Sequence, residues 1–414
     1  MKGDDDRLAL IVQKYGGTSV ANVDRLKNVA ERVIKEYDKG NMMVVVVSAM
    51  GDSTDELLGL MSQITSNPDP READMLLTTG EQVSIALLSM AIQAKGYKAV
   101  SLTGSQVKIK TNNNHSHAEI MNIDNSRIHN ELEMGKVVVI AGFQGINSKE
   151  DFTTLGRGGS DTTAVALAAS LNADRCEIYS DVDGIYTTDP RLIPEASKLD
   201  FISYEEMLEL ASLGAKVLHP RSVELAKVNN INLYIASSFN YKPGTLVGGI
   251  NQNMEKRKYV TGVTVNKDAV KITVEQVPDK PGIAGKLFTG LAEMGVNVDM
   301  IIQNLQRNQK NDITFTIDKD SLKKYRKKIE EIASSLGVEN LYIDNEVAKV
   351  SIVGAGMITT PGIAGKMFRV LGANNINIEM ITTADIKISC LIDEKDAEKA
   401  LKVIHEGFQL DKNQ

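Results

Sequence analysis

PGIAGKLFTGLAEMGVNVDM, residues 281–300, recurs 80 positions later as PGIAGKMFRVLGANNINIEM, residues 361–380, without a gap. Pro281 and Pro361, Lys286 and Lys366, Phe288 and Phe368, Leu291 and Leu371, Asn297 and Asn377, and Met300 and Met380 are identical, with Val/Ile, Leu/Met and Asp/Glu exchanges between them. Agreement of this kind at a fixed period marks an internal duplication. Each copy reads as a β-branched strand, a Pro-Gly turn, a helix, two more strands and a second helix. The strands fall at 270–277, 298–304 and 313–317 in the first copy and at 347–353, 378–383 and 386–391 in the second. Residues 340–343 give the first copy a fourth strand and a βαββαβ order. The second reaches Gln414 with no room for one, so residues 261–265 are expected to supply it.

Toward the N-terminus, Pro243, Gly244, Gly248, Gly249 and the polar run 251–258 read as a linker, assigned to residues 246–260. It separates a domain of residues 1–245 from the two modules, 261–345 and 346–414. In that first domain short β-branched runs alternate with longer helical patterns, the signature of an α/β three-layer sandwich around a mostly parallel sheet. Strands are expected over 8–13, 42–48, 99–103, 137–141, 177–180 and 232–236. Helices are expected over 23–37, 55–64, 71–94, 162–171, 204–213 and 222–228, and Ser203 with Glu206 forms a capping box before the fifth.

Composition narrows the function classes. The 414 residues are 42% hydrophobic, enough for two or three cores, and carry a formal net charge of −7 that argues against a nucleic-acid partner. The basic run 319–328 reads as a solvated helix face. Cys176 and Cys390 are the only cysteines and form no CxxC, which suits a reducing cytoplasm. The acidic start Met1-Lys-Gly-Asp-Asp-Asp6 lacks an apolar signal core, and no run approaches the roughly 18 apolar residues of a membrane span, so a soluble protein is expected.

Three glycine- or acid-rich segments at predicted strand ends carry chemistry. Lys14-Tyr-Gly-Gly-Thr-Ser19 follows the first strand; Gly16 and Gly17 let backbone amides approach an anion, and Lys14 adds a point charge. It is not a Walker loop, and taken alone it could be an ordinary strand-to-helix turn. Gly156-Arg-Gly-Gly-Ser-Asp161 opens an apolar helix, with Arg157 suited to bidentate capture of a carboxylate and Ser160 or Asp161 able to cap. Two cationic glycine loops on one sheet point to phosphate and carboxylate recognition together. In Ser180-Asp-Val-Asp-Gly-Ile-Tyr-Thr-Thr-Asp-Pro-Arg191, acidic groups could orient lysines or hold Mg²⁺ through water, Tyr186 could pack on a base, or the whole could be a turn-rich loop. His115 and His117 lack Cys or Glu partners at ligand spacing, so no metal site is expected there.

Taken in order, Lys14-Tyr-Gly-Gly-Thr-Ser, Gly80-Glu, Ala141-Gly-Phe-Gln-Gly, the string from Thr153 to Thr163, the string from Tyr179 to Arg191 and Gly214-Ala-Lys-Val-Leu-His-Pro resemble the motifs of monofunctional aspartate kinases of the amino-acid kinase family. The duplicated part resembles that family's tandem ferredoxin-like ACT domains. The resemblance implies ATP-dependent phosphorylation of the side-chain carboxylate of L-aspartate, with Mg²⁺ carried mainly on the phosphates. It also implies feedback by lysine, threonine or both through the ACT domains, and a homo-oligomer, dimer or tetramer, formed by ACT pairing. By that similarity Lys14 and Lys216 stabilise the transferring group, Asp161 orients a lysine, and Tyr15, Gly16, Gly17, Ser180, Asp181, Tyr186, Arg191 and Val217 join them around the nucleotide. Thr54, Glu81, Arg157, Gly158, Gly159 and Ser160 are implied for the substrate, with Glu81 on its amino group and Arg157 on its α-carboxylate. Asp279, Gly282, Ile283, Asn297, Gln303 and Asn377 are implied for the effector. Without the resemblance, the charged set also admits a kinase of another small carboxylate, or an amino-acid sensor that has lost catalysis.

Overall fold

A computed structural model describes residues 9–214, 217–249, 259–305, 310–338 and 340–412. They form two compact units, and Thr187–Ser197 belongs with the C-terminal unit despite its place in the sequence.

The N-terminal unit is built in the order β1 (Leu10–Tyr15), α1 (Val23–Tyr37), β2 (Met42–Val47), α2 (Ser53–Ile64), α3 (Pro70–Leu77), α4 (Thr79–Gln93), β3 (Ala99–Leu102), β4 (Ile109–Thr111), β5 (Ile120–Ile123), α5 (Ser126–Glu133) and β6 (Val137–Ala141). It continues with β7 (Gln144–Ile146), β8 (Phe152–Thr154), α6 (Gly159–Ser170), β9 (Arg175–Ser180), β10 (Phe201–Ser203), α7 (Tyr204–Ser212), α8 (Pro220–Val228), β11 (Leu233–Ser237) and β12 (Thr245–Gly248). Eight strands make one sheet in the order β10-β12-β11-β9-β1-β2-β6-β3, parallel except where β12 runs against β11. The central strands are near-continuous apolar runs because both faces are covered. Ile11, Met43, Val45, Val137 and Val139 pack with Leu26 and Val33 of α1 and Ile85, Leu88 and Ile92 of α4. By the period of two, Val12, Val44, Val46 and Ile140 point to the other face, where α6 crosses β1 and β9.

Two features depart from the sequence reading. The expected helix 71–94 is two helices, α3 and α4, meeting at Thr78, whose amide closes α3 on Asp74. Together they make the one stretch among the described residues long and apolar enough to cross a membrane by length and composition; half of its most apolar window is buried, and α4 supplies three core residues. A second, four-stranded sheet, β5-β4-β7-β8, escaped the reading because its strands are only three or four residues long.

The C-terminal unit contains β13 (Gly262–Pro278), α9 (Ile283–Glu293), β14 (Ile301–Leu305), β15 (Lys310–Ile317), α10 (Lys319–Ser335), β16 (Asn340–Val353), α11 (Ile363–Ala373), β17 (Met380–Ala384), β18 (Lys387–Asp393) and α12 (Ala397–Gly407). Its single six-stranded sheet has the order β14-β15-β13-β16-β18-β17. Each long central strand serves both modules. Gly262 to Asn266 at the start of β13 pair antiparallel with Val353 to Lys349, while the later part of β13 pairs with β15 and with the start of β16. The duplicated helices fill equivalent cores: Leu287 and Leu291 with Phe315 in one, Met367 and Leu371 with Ile388 in the other. Crossed ion pairs tie the modules, Lys349 to Asp299 and Lys271 to Glu379, two acids that occupy equivalent places in the repeat.

Candidate active site

The site grows from the C-terminal edge of the large sheet, where open parallel sheets collect ligands. Lys14 is the fifth residue of β1, level with Val46 of β2 and Ile178 of β9. Tyr15 and Ile11 belong to the core shared with α1 and α4, so alternation turns Lys14 to the face covered by α6. There its Nζ lies 2.6 Å from Oδ1 of Asp161 in the first turn of α6, and both side chains are little exposed. At this distance the contact is a close charge pairing that holds the ammonium at the sheet edge.

Around this pair the two glycine loops close in. Gly16 donates its amide to Tyr179 O at 3.2 Å, and Ser19 Oγ donates to Ser238 Oγ at 2.8 Å. Gly158 precedes α6 with φ +69°, and a Cβ there would lie 2.2 Å from Cβ of His219, so position and backbone both demand glycine. Gly159 and Ser160 begin α6 in buried positions, and Ser160 Oγ meets Ser48 Oγ at 2.9 Å, linking the loop to the end of β2. Arg157 is exposed at the crown of the loop, with no ion-pair partner among the described residues.

Glu81, in the first turn of α4, is 2% exposed; Oε1 accepts from the Ala49 amide at 3.1 Å, while Oε2 has no hydrogen-bond partner among the described residues. Burial raises its pKa to about 8. A half-satisfied buried carboxyl is costly unless a ligand completes it. Thr54 is half-buried on α2, one turn before Leu57, whose Cδ1 comes within 3.8 Å of where Gly80 would carry a Cβ.

At the end of β9, Ser180 accepts the Ser238 amide on its carbonyl at 2.8 Å, Asp181 is exposed, and Tyr186 is half-buried in a bridge to Lys198. Burial, aided by Asp183, pushes the Tyr186 hydroxyl pKa up. Val217 is half-buried in the same unit, and Lys216 lies outside the described residues. Arg191 belongs to the C-terminal unit, where it is paired with Asp189 at 2.7 Å. Among the described residues no three His, Cys, Asp or Glu side chains stand together as a metal cage.

Beneath Lys14 lies a network that the sequence reading missed. Gln13 Nε2 donates to Glu177 Oε2 at 2.8 Å, the Tyr179 hydroxyl donates to the same oxygen at 3.0 Å, and the Tyr15 ring stacks on Tyr179 at 5.0 Å. A polar residue at every second position of a buried strand was its available signal.

In the C-terminal unit Asp279, exposed after β13, accepts from Asn311 Nδ2 at 2.9 Å. Gly282 caps α9 in the left-handed region ahead of Ile283, Gln303 sits on edge strand β14, and Asn297 and Asn377 are exposed at equivalent places.

A paired lysine and aspartate between two glycine loops at a parallel sheet edge, followed by two βαββαβ modules, defines a small-molecule kinase joined to paired regulatory domains. Comparison with known proteins gives the same class: residues 9–237 match the amino acid kinase family, and residues 272–334 and 350–408 each match an ACT domain. The chain is 48% identical over 406 residues to an aspartokinase of Pseudomonas aeruginosa, covering 98% of both. It superposes on E. coli aspartokinase III in complex with aspartate and ADP in the R-state with a TM-score of 0.79 at 25% identity, covering 96% of this chain and 99% of that one. Against the T-state of that enzyme, in complex with lysine and aspartate, the TM-score is 0.75 at 25% identity with the same coverage. The chain belongs to the aspartate kinase family.

Proposed function

We propose that the enzyme transfers the γ-phosphoryl group of ATP to the side-chain carboxylate of L-aspartate, giving 4-phospho-L-aspartate and ADP. The observation that carries this reading is the sequestered Lys14 ammonium, held by Asp161 between two glycine loops at the sheet edge. A carboxylate is ionised at neutral pH, so the reaction needs no general base; it needs two anions brought together and aligned. A carboxylate oxygen attacks the γ-phosphorus, and the bridging oxygen leaves with ADP. Lys14 and Lys216 neutralise the charge spread over the transferring group, with the Gly17 amide assisting while the Gly16 amide is committed to Tyr179 O, and Asp161 keeps the Lys14 ammonium aimed. Arg157 takes the α-carboxylate, Glu81 the ammonium, and Gly158, Gly159, Ser160 and Thr54 line the substrate. Ser180, Asp181, Tyr186 and Val217 line the nucleotide, whereas the Tyr15 side chain is fully buried in the core and Arg191 belongs to the C-terminal unit, paired with Asp189. Mg²⁺, carried on the ATP phosphates, would offset part of their charge.

The same proposal makes the reaction the first step of lysine, threonine and methionine synthesis in the cytoplasm, with lysine, threonine or both binding the ACT domains and a homo-oligomer as the working form. The domains proposed are residues 1–245, 261–345 and 346–414 around a linker at 246–260, except that residues 246–248 of that expected linker form strand β12 and belong to the large sheet. Asp279 paired with Asn311 favours the first repeat as the effector site, since Thr359 takes the place of Asp279 in the second. ATP turnover with L-aspartate, L-glutamate and N-acetylglutamate, trapped with hydroxylamine and repeated with lysine and threonine, tests it. Hydroxamate from aspartate alone is expected; none from aspartate refutes the substrate assignment.

A further inference from the structure

Asp74 of α3 is fully buried, and every hydrogen bond of its carboxyl group comes from the 115–116 segment or from Thr154, which lead to the Arg157 loop. His115 Nδ1 donates to Oδ2 at 2.7 Å, the Ser116 amide donates to both oxygens at 3.1 Å, and Thr154 Oγ1 donates to Oδ1 at 2.6 Å. A buried carboxylate is tolerated only when its lone pairs are met, so these contacts hold their donors firmly in return. Thr154 ends β8, three residues before Arg157. Its carbonyl accepts from the Ala118 amide at 2.9 Å, and Arg221 clamps the next step, Nη1 on Leu155 O at 2.9 Å and Nη2 on Ala118 O at 2.8 Å. Beyond that, Gly156 turns with φ +75° so tightly against His117 that a Cβ would lie 2.8 Å from Nδ1. His115, His117 and His219, the last against Gly158, thus gather at one loop, and Arg157 is left as its outward side chain.

We propose that Asp74, acting through His115, Ser116 and Thr154, is a positioning residue that fixes the Thr154 to Asp161 loop and thereby sets Arg157 for the substrate α-carboxylate. This rests on the reading of Arg157 given above. A binding group displaced by a fraction of an ångström loses much of its contribution, so the effect falls on the ligand that Arg157 holds and spares the one it does not.

Thr154→Val removes one charge-assisted donor at constant shape; Thr154→Ser keeps it; Asp74→Asn is the harsher companion. In steady-state kinetics T154V is expected to raise the KM for L-aspartate about tenfold, the scale of one such bond, with the KM for ATP unchanged and the melting temperature lowered because the buried Asp74 loses a donor. T154S is expected to restore the wild-type value, and D74N to move the aspartate KM further. An unchanged aspartate KM in T154V, or equal rises in both KM values with a lowered melting temperature that T154S does not repair, overturns the positioning. Arg157→Ala separates the premises: if it leaves the aspartate KM unchanged, the Arg157 reading fails and takes this proposal with it. If R157A responds and T154V does not, positioning alone fails.

Discussion

The proposed contact between Glu81 and the ammonium of L-aspartate makes substrate binding release a proton. Burial raises the Glu81 pKa to about 8, and one carboxyl oxygen has no hydrogen-bond partner among the described residues. At pH 7 the free enzyme therefore holds Glu81 mainly as the neutral acid, while the ammonium requires the carboxylate. Apparent dissociation is weakened by one plus ten to the power of the pKa minus the pH, about 11-fold at pH 7 and about 1.3-fold at pH 8.5. Affinity for aspartate should thus rise roughly eightfold over that window, with about 0.9 proton released per aspartate bound at pH 7. Calorimetry at pH 7 in two buffers of different ionisation enthalpy counts the proton, and KM against pH gives the profile. The linkage also has a sign for stability. Because the folded pKa lies above the unfolded value of about 4.3, the free enzyme loses stability as pH rises from there through 8, reaching roughly 3 to 4 kcal/mol at pH 7 if the whole shift is expressed. Saturating aspartate offsets that loss, so its stabilising effect on the melting temperature should grow from pH 6.5 to 8.5. Glu81→Gln should bind aspartate weakly at every pH, release no proton, and melt higher than wild type above pH 6. A flat wild-type profile with no proton released would refute the reasoning.

Lys14→Ala removes the one charge that Asp161 holds at the sheet edge and should lower kcat at least a hundredfold, on the scale of a lost transition-state donor; full turnover would sink the assignment. In the C-terminal unit Lys349 is 3% exposed and depends on Asp299, so Asp299→Asn should destabilise by roughly 2 to 3 kcal/mol, moderated because Asp299 is itself half exposed. Lys349→Met with the same partner change should recover most of that loss in thermal melts. Burial pushes the Cys176 thiol well above its usual range and Cys390 to about 12. Both should stay unmodified by a thiol reagent at pH 8 until denaturant is added, and rapid labelling of the native chain would contradict the packing.

The sheet was legible where strands are long and buried on both faces. Val137–Ala141 falls where the apolar run predicts it, and Met42–Val47 differs by one residue, because such runs leave little freedom of boundary. The break at Thr78 was not legible, since Thr and Gly80 continue a helical pattern without proline, and Thr78 itself keeps helical backbone angles; what tertiary contact does fix is Gly80, where a Cβ would lie 2.9 Å from the Ala49 side chain. The strands of the small sheet were missed for another reason. Three residues show no period, and Ile109–Thr111 becomes a strand only by its pairing with β5 and β7.

The site was legible as a set of loops and illegible as a set of environments. Spacing could place Lys14 and Asp161 at strand and helix ends, but 147 residues separate them in the sequence, and only the crossing of α6 over β1 turns them into a pair. Glu81 reads as a helix-start acid, a type normally solvated and charged; its function as a proton-bearing site exists only because α4 lies against the sheet and hides it. Asp74 shows the same limit from the other side. In sequence it is one acid in an amphipathic helix, whereas in the fold it gathers a histidine, an amide and a threonine from two distant segments. Sequence names groups that carry charge. Burial decides which of them keep that charge, and the kinase reaction needs this distinction, because a lysine held beside an aspartate can neutralise an incoming phosphoryl group only while both remain shielded from water.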